Sequence, residues 1–543
     1  VGSEMCIRDR YIDVERERKQ GFDMELYIKP VSEIYTQSTE VKRMVVIMSV
    51  LAFALLFVAA MNYILNSVSS LPIRARSVGV HKCNGASSKD IFNMFLFETA
   101  ALFVVALVCM ALLLFAFREY VADMVAVPTL GTLLNAQTIW LPAIMILAIF
   151  ILSALLPARL FSVIPVTQVF RVSTSGKQGW KRSLLFIQFG GIAFVITLLV
   201  IVLLQYDRLM NNDLGYDPEN IVYAPLNNMD DQKAAKLTAE FKKLPYVTAT
   251  GLSSMDILSG YGGFPILDNE KNWLFTARQV NYDADYLSLM KIPLLEGQPL
   301  KGDGDILVNE SFVSKRGWTD AAIGKYIYDD EGNLKGKIVG VTRDFMVNSF
   351  FTPQLPVIMF GSDRMSYCNF TVRVSELTPE YLREMNDRIA ELFPDEDVGF
   401  TVLKTIIESQ YEGTRHFRDG VFVASIAILL ITLMGLLGYI TDEMHRRSKE
   451  IAIRKVNGAT APNILRLLSK DVLVTAFPAI LLGVIASRVV GESWLRQFAD
   501  KIPLTVFIFI STALLVLAII WGCVILKSWN IANENPVRSI KNE

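Results

Sequence analysis

The sequence predicts a polytopic α-helical membrane protein with an α/β extracytoplasmic domain, and three observations carry that prediction. Seven apolar stretches are long enough to cross a bilayer, basic residues concentrate in alternate loops, and one long segment has ordinary soluble composition. At 543 residues and 52% hydrophobic, with a mean hydropathy of +0.38, the chain is too apolar for a soluble protein of its size. A net charge of -1 offers nothing to a nucleic-acid backbone, so no nucleic-acid partner is expected. Cys6, Cys83, Cys109, Cys368 and Cys523 are spread too widely for a metal site and outline no disulfide framework.

Residues 1–10 lack the charged, apolar and cleavage-site order of a signal peptide and read as a non-native scar. Residues 11–43 are polar and read as the remnant of a first extracytoplasmic domain. A first three-span unit follows over 44–183, with spans at 45–65, 95–117 and 139–161 and a charged loop at 73–90. A further span at 184–205 leads into the extracytoplasmic α/β domain, 206–418. The chain ends with a second three-span unit over 419–543, with spans at 419–440, 472–490 and 503–526 and a loop at 441–471. The loops after the first, third and fifth spans hold Arg74, Arg76, Lys82 and Lys89, then Arg159, Arg171, Lys177, Lys181 and Arg182, then Arg446, Arg447, Lys449, Arg454, Lys455, Arg466 and Lys470. All three are therefore cytoplasmic, which places 118–138, 206–418 and 491–502 outside. Symmetry with the second half leads us to expect an eighth span and most of a domain upstream, so that the sequence is N-terminally truncated.

Within 206–418, strand-like runs such as Lys337 to Val341 and Pro356 to Phe360 alternate with helix-like ones such as Pro379 to Phe393. Cys368 is its only cysteine, so the domain rests on its core. Asp283/Asp285 and Asp303/Asp305 do not fit a calcium loop and read as solvated turn acids. His81 and His445 fall on the cytoplasmic side and His416 beside the membrane, which leaves no catalytic constellation outside. No run fits G-x-x-x-x-G-K-[ST], and Ser259 to Gly263 reads as a turn, so no cofactor is expected on this chain and its energy source is expected on another polypeptide.

The two loops align on Gly-Ala, with identity at Arg447/Arg74, Lys455/Lys82, Asn457/Asn84, Gly458/Gly85, Ala459/Ala86 and Ile464/Ile91. Each reads as a short amphipathic helix along the inner membrane face, ended by Asn-Gly. The second adds an apolar set, Ile451, Ile453 and Val456. Asp471 and Glu98 occupy equivalent positions at the cytoplasmic starts of their spans and read as helix-end caps. The span centres carry no Asp, Glu, Lys or Arg, which argues against an ion-coupled transporter.

Lys449 to Thr460, KEIAIRKVNGAT, closely resembles the signature loop of MacB/FtsX-type ABC transporter permeases. VNYDADYLSLMKIPLLEG at 280–297, ILVNE at 306–310 and IVGVTRDF at 338–345 look like the MacB-type periplasmic core. The Asn535-Pro536-Val537 and Ile164-Pro165-Val166 turns are similar too. The resemblance implies a permease subunit of the mechanotransmission type in a bacterial inner membrane. In such a subunit a separate cytoplasmic ATPase dimer, which carries the ATP and Mg, drives extracytoplasmic handling or export of a peptide, drug or lipoprotein. Besides membrane lipid, it implies a periplasmic adaptor and outer-membrane channel if the chain exports. An FtsX-like scaffold that activates a cell-wall hydrolase without transport is the alternative. By the same resemblance, ATPase coupling falls to Lys449, Glu450, Ile451, Arg454, Lys455, Asn457 and Gly458, with Arg74, Lys82, Asn84 and Gly85 as a weaker second contact. Ser77 stands where the second loop has Glu450, and His81 where it has Arg454, so damage to the second loop is expected to cost more.

Overall fold

The computed structural model describes residues 39–532 apart from 70, 125–130, 132–134, 136–138, 163–178, 230, 259–261, 269, 319, 330, 348–350, 352, 362–366 and 395. The readings of residues 1–38, of Ser259 to Tyr261 and of the Ile164-Pro165-Val166 and Asn535-Pro536-Val537 turns lie outside the described residues. The chain forms two compact units. One comprises 208–412 with 497–501, and the other 37–207, 413–496 and 502–543.

The membrane unit begins with helices α1 (Thr39–Ser69), α2 (Leu71–Cys83), α3 (Ser88–Ala116), α4 (Arg118–Met124), α5 (Trp140–Ser162) and α6 (Gly179–Asn211). Seven helices of the described chain are long and apolar enough to cross a membrane, in the order the sequence predicts. Apolar runs of this length become helices because hydrocarbon offers the backbone no other hydrogen-bond partner. Several outlast their charge-free stretches. α1 starts at Thr39, five residues ahead of its membrane-length apolar stretch at Met44–Leu65, and α6 overruns the expected 184–205 at both ends. Gln205 is fully buried and its Oε1 accepts the Ile502 backbone N–H at 2.9 Å.

The extracytoplasmic unit is built on an 11-stranded mixed sheet. Its elements are β1 (Ile221–Met229), α7 (Asp231–Phe241), β2 (Val247–Ser253), β3 (Gly262–Leu267), β4 (Trp273–Tyr282), α8 (Tyr286–Met290), β5 (Leu294–Gly297), β6 (Asp305–Asn309), α9 (Glu310–Arg316), β7 (Tyr326–Tyr328), β8 (Leu334–Thr342), β9 (Val357–Gly361), β10 (Tyr367–Val374), α10 (Pro379–Leu392), β11 (Thr401–Val402) and α11 (Leu403–Gln410). The strand order is β11-β1-β10-β2-β4-β9-β6-β8-β5, with β3 on β4 and β7 on β8. Only β4–β9 and β6–β8 are parallel among the described pairs.

Two apolar cores divide the sheet. Around β1, β10 and β2, Phe241 of α7 meets Phe370 edge-on at 5.2 Å, and Met385 and Ile389 of α10 close the layer. Around β6, β8 and β9, Phe312 of α9 packs on Phe275 and Ile338. Each fully buried aromatic or aliphatic side chain contributes about 1.5–3 kcal/mol, so the unit holds together without a disulfide.

Asp283 corrects the sequence reading of a solvated turn acid. Burial is the main influence and pushes its carboxyl up to about 7, only partly offset by the Leu252 N–H that its Oδ2 accepts at 2.9 Å. Unfolded, the group titrates near 3.9. Between about pH 4 and 7 the folded domain keeps a proton that the unfolded chain has lost, so this group's contribution to stability falls as pH rises through that window. Asp283→Asn is therefore expected to stabilise β2 and β4 by up to about 4 kcal/mol at pH 7.5 and by no more than about 0.5 kcal/mol at pH 4. Hydrogen exchange in the full chain measures the difference, and a pH-independent difference would contradict the assignment.

Past the domain the membrane unit resumes with α12 (Glu412–Arg446), α13 (Ser448–Val456), α14 (Ala461–Leu495) and α15 (Val506–Ala532). α12 thus begins seven residues before the expected span start at 419. α6 is the innermost helix, with 61% of its apolar window buried, whereas α3 has 6% and presents nearly all its surface outward. α6 and α14 cross at close range, with Gly190 and Ala193 facing Ala479 and Gly483. Among the described residues of this unit, the one buried side chain of the Asp, Glu, Lys and Arg types is Glu443, at the end of α12. Asn62, Gln188, Thr197 and Thr512 supply neutral buried polarity further in.

Candidate functional site

α13 is a nine-residue helix set off from α12 by a break at Arg447. The break is held from the side. Arg447 Nε pairs with Glu443 Oε1 one turn back, and its Nη2 pairs with Asp471 Oδ2 on α14. Arg182 Nη2 of α6 lies 3.6 Å from the same Asp471 oxygen. Burial opposes the charge on Arg447, yet the Glu443 and Asp471 carboxylates outweigh it and hold the guanidinium above its usual pKa.

The far end of α13 closes in a Schellman turn. Gly458 takes φ +88°, its N–H donates to Lys455 O at 3.0 Å, and Ala459 N–H donates to Arg454 O at 2.9 Å. A side chain at this left-handed position would strain the backbone, which is why the motif reads Asn-Gly-Ala. α2 ends identically. Gly85 sits at φ +95°, with Gly85 N–H to Lys82 O at 3.1 Å and Ala86 N–H to His81 O at 3.0 Å.

The side pairing is duplicated as well. Arg74 Nη1 bonds both oxygens of Glu98, at 2.7 and 2.8 Å, across the same 24-residue separation as Arg447 and Asp471. Glu98 and Asp471 therefore do not cap helices as the sequence reading supposed. Each lies at the eleventh position of a helix that starts at Ser88 or Ala461, too far in to meet the terminal N–H groups. The first helix end is capped by Ser87, which accepts the Asp90 N–H and donates its own N–H to Asp90.

The sequence-predicted site residues separate into two sets. Ile451 is 4% exposed and packs into its own unit, as Val78 does beside Ile91, Phe95 and Ala158 in the first copy. Lys82 donates to the Ser162 carbonyl at 2.8 Å, at the end of α5, and Arg74 is held by Glu98. Ile451 thus anchors its helix inward, while Lys82 and Arg74 hold α2 to α5 and α3 through partners that leave them partly exposed. Glu450, Arg454, Asn457, Gly458, Asn84 and Gly85 are exposed, and Lys455 is half-buried. Lys449 lies on α13, and its side chain is outside the described residues. Glu450 and Arg454 pair along the helix at 2.7 Å. Beside them Ile453 and Val456 are 61% and 68% exposed, an apolar pair one turn apart that points away from the bundle. Sequence reading placed them in one set with Ile451. Their helical offsets of two and five from Ile451, which put both on the other side of the helix, were the signal that separates them.

A family model described as FtsX-like permease C-terminal matches residues 49–166 and 422–536, one stretch in each half of the membrane unit. Three solved structures are similar to part of the chain. The periplasmic region of MacB from Actinobacillus actinomycetemcomitans is 13% identical, with TM-score 0.28, over 37% of this chain and 97% of that one. A domain of a putative permease from Porphyromonas gingivalis is 13% identical, with TM-score 0.27, over 35% and 98%. The extracellular domain of the noncanonic ABC-type transporter YknZ from Gram-positive bacteria is 10% identical, with TM-score 0.25, over 34% and 99%. No curated protein matches the chain.

Proposed function

We propose that this chain, which matches the FtsX-like permease model in both halves of its membrane unit, is a permease of the MacB/FtsX type that couples a separate cytoplasmic ATPase to work done outside the membrane. The observation that carries the proposal is the exposed tip of α13. It sets the apolar Ile453 and Val456 beside the charged Glu450 and Arg454 on a helix whose opposite face is fixed by Ile451 and Arg447. Such a helix moves with its unit as a rigid lever. A partner that grips the tip moves α12 and α14 together, because Arg447 joins both.

The partner is an ABC ATPase dimer that brings ATP and Mg, with one subunit on α13 and one on α2. The membrane is the bacterial inner membrane. The work is mechanotransmission, in which the extracytoplasmic unit handles or exports a peptide, drug or lipoprotein without passing it through the bundle. The absence of a buried charge at mid-bundle among the described residues is consistent with this.

The double exchange Glu450→Lys/Arg454→Glu keeps the pair along the helix and reverses the charge pattern a partner meets. Loss of ATPase copurification with an unchanged melting temperature is expected. Retained copurification and transport would contradict the assignment.

A further inference from the structure

A groove of about 900 Å³ opens on the side of the second three-span unit, between α14 and α15. Its lining includes the cations Arg454, Arg466 and Lys470 and, further along the chain, the apolar Leu473, Val474, Trp521 and Ile525. Arg466 and Lys470 are one helical turn apart, and the same face of α14 continues through Val474, Phe477 and Leu481, which are 66%, 66% and 53% exposed. Two cations thus sit where the helix leaves the cytoplasm, directly below a strip of bare hydrocarbon. Neither Arg466 nor Lys470 makes an ion pair among the described residues.

The first unit shows that topology does not require these charges. Its equivalents of Arg454, Arg466 and Lys470 are His81, Asn93 and Phe97, and it forms the same helices without them. The cations belong to the groove.

We propose that this groove binds one anionic glycerophospholipid of the cytoplasmic leaflet. The phosphate lies between Arg466 and Lys470 with Arg454 at the rim, and the acyl chains run along Val474, Trp521 and Ile525. A molecule with an anionic head and a hydrocarbon tail matches a face that changes from charged to apolar over two turns at membrane depth. A soluble anion leaves the apolar wall uncovered, and a neutral lipid leaves the cations unpaired.

The test is native mass spectrometry of the purified full chain, titrated with palmitoyl-oleoyl phosphatidylglycerol or the matching phosphatidylcholine. The wild type is expected to take up one phosphatidylglycerol saturably and in preference to phosphatidylcholine. Arg466→Gln/Lys470→Gln is expected to bind it about 30-fold more weakly, and each single variant about fivefold, which keeps the test available if the double variant does not fold. Lys89→Gln/Arg159→Gln, which removes two cytoplasmic charges from the first unit, is expected to bind like wild type. The proposal is overturned if the wild type shows no preference, if the groove variants bind like wild type, or if the first-unit variant weakens binding as much.

Discussion

Arg447→Ala is expected to be the most damaging single substitution on either coupling loop, lowering stability by about 2–4 kcal/mol and abolishing coupled ATPase activity. The arginine side chain is 16% exposed, and its partners Glu443 and Asp471 are 9% and 31% exposed. Removing it takes the guanidinium from both the Glu443 and the Asp471 carboxylates, and breaking a buried pair costs far more than the pair contributes when intact. The break between α12 and α13 also loses its lateral brace, so a pull on α13 no longer reaches α14. Arg447→Lys keeps the charge but not the two-pronged geometry, and falls between. Arg74→Ala is the matched control. Its pair with Glu98 is 39% and 43% exposed, and such pairs are worth about 0–1 kcal/mol. Thermal unfolding and ATPase assays of the reconstituted complex measure both. Equal losses from the two alanine variants would remove the inequality between the loops.

Gly483→Val is expected to disrupt the bundle itself. A Cβ at Gly483 would lie 2.2 Å from Gly190 O and 3.0 Å from Ala193 Cβ, and one at Gly190 would lie 3.3 Å from Ala479 O. The carbonyl is backbone and cannot rotate away, so α6 and α14 must separate, at a cost of about 3 kcal/mol. Because α6 is the innermost helix, the damage spreads to the whole membrane unit. Gly522→Val on α15 is the control, since a Cβ there meets nothing within 4 Å. Recovery of monodisperse protein and unfolding in mixed detergent distinguish them. A Gly483→Val protein as stable as Gly522→Val would show that the close crossing does not support the bundle.

The spans and the loop ends were readable because each depends on local chemistry. Twenty apolar residues leave the backbone no alternative to a helix, and Asn-Gly-Ala marks a left-handed helix stop wherever it occurs. Orientation on the loops was not readable in this way. In a membrane protein, lipid and core are equally apolar, so hydropathy cannot tell that Ile451 faces inward while Ile453 and Val456 face out. The Arg447–Asp471 and Arg74–Glu98 pairs join positions 24 residues apart. Read singly, their arginines pass for topology charges and their carboxylates for helix caps. Repetition of both pairs at one spacing was the available clue. Asp283 escaped for a different reason, because its burial depends on α8 folding back over β2, which no local pattern announces.

α13 is expected to present Ile453 and Val456 to a nucleotide-binding subunit. The most direct measurement places a photocrosslinking benzoylphenylalanine at position 453 in the full chain, in its native membrane, with position 451 as the inward-facing control. Position 453 is expected to give an adduct whose partner contains a phosphate-binding G-x-x-x-x-G-K-[ST] loop, and position 451 none. Adducts only with lipid or with the chain itself from position 453, or equal partner adducts from both positions, would contradict it.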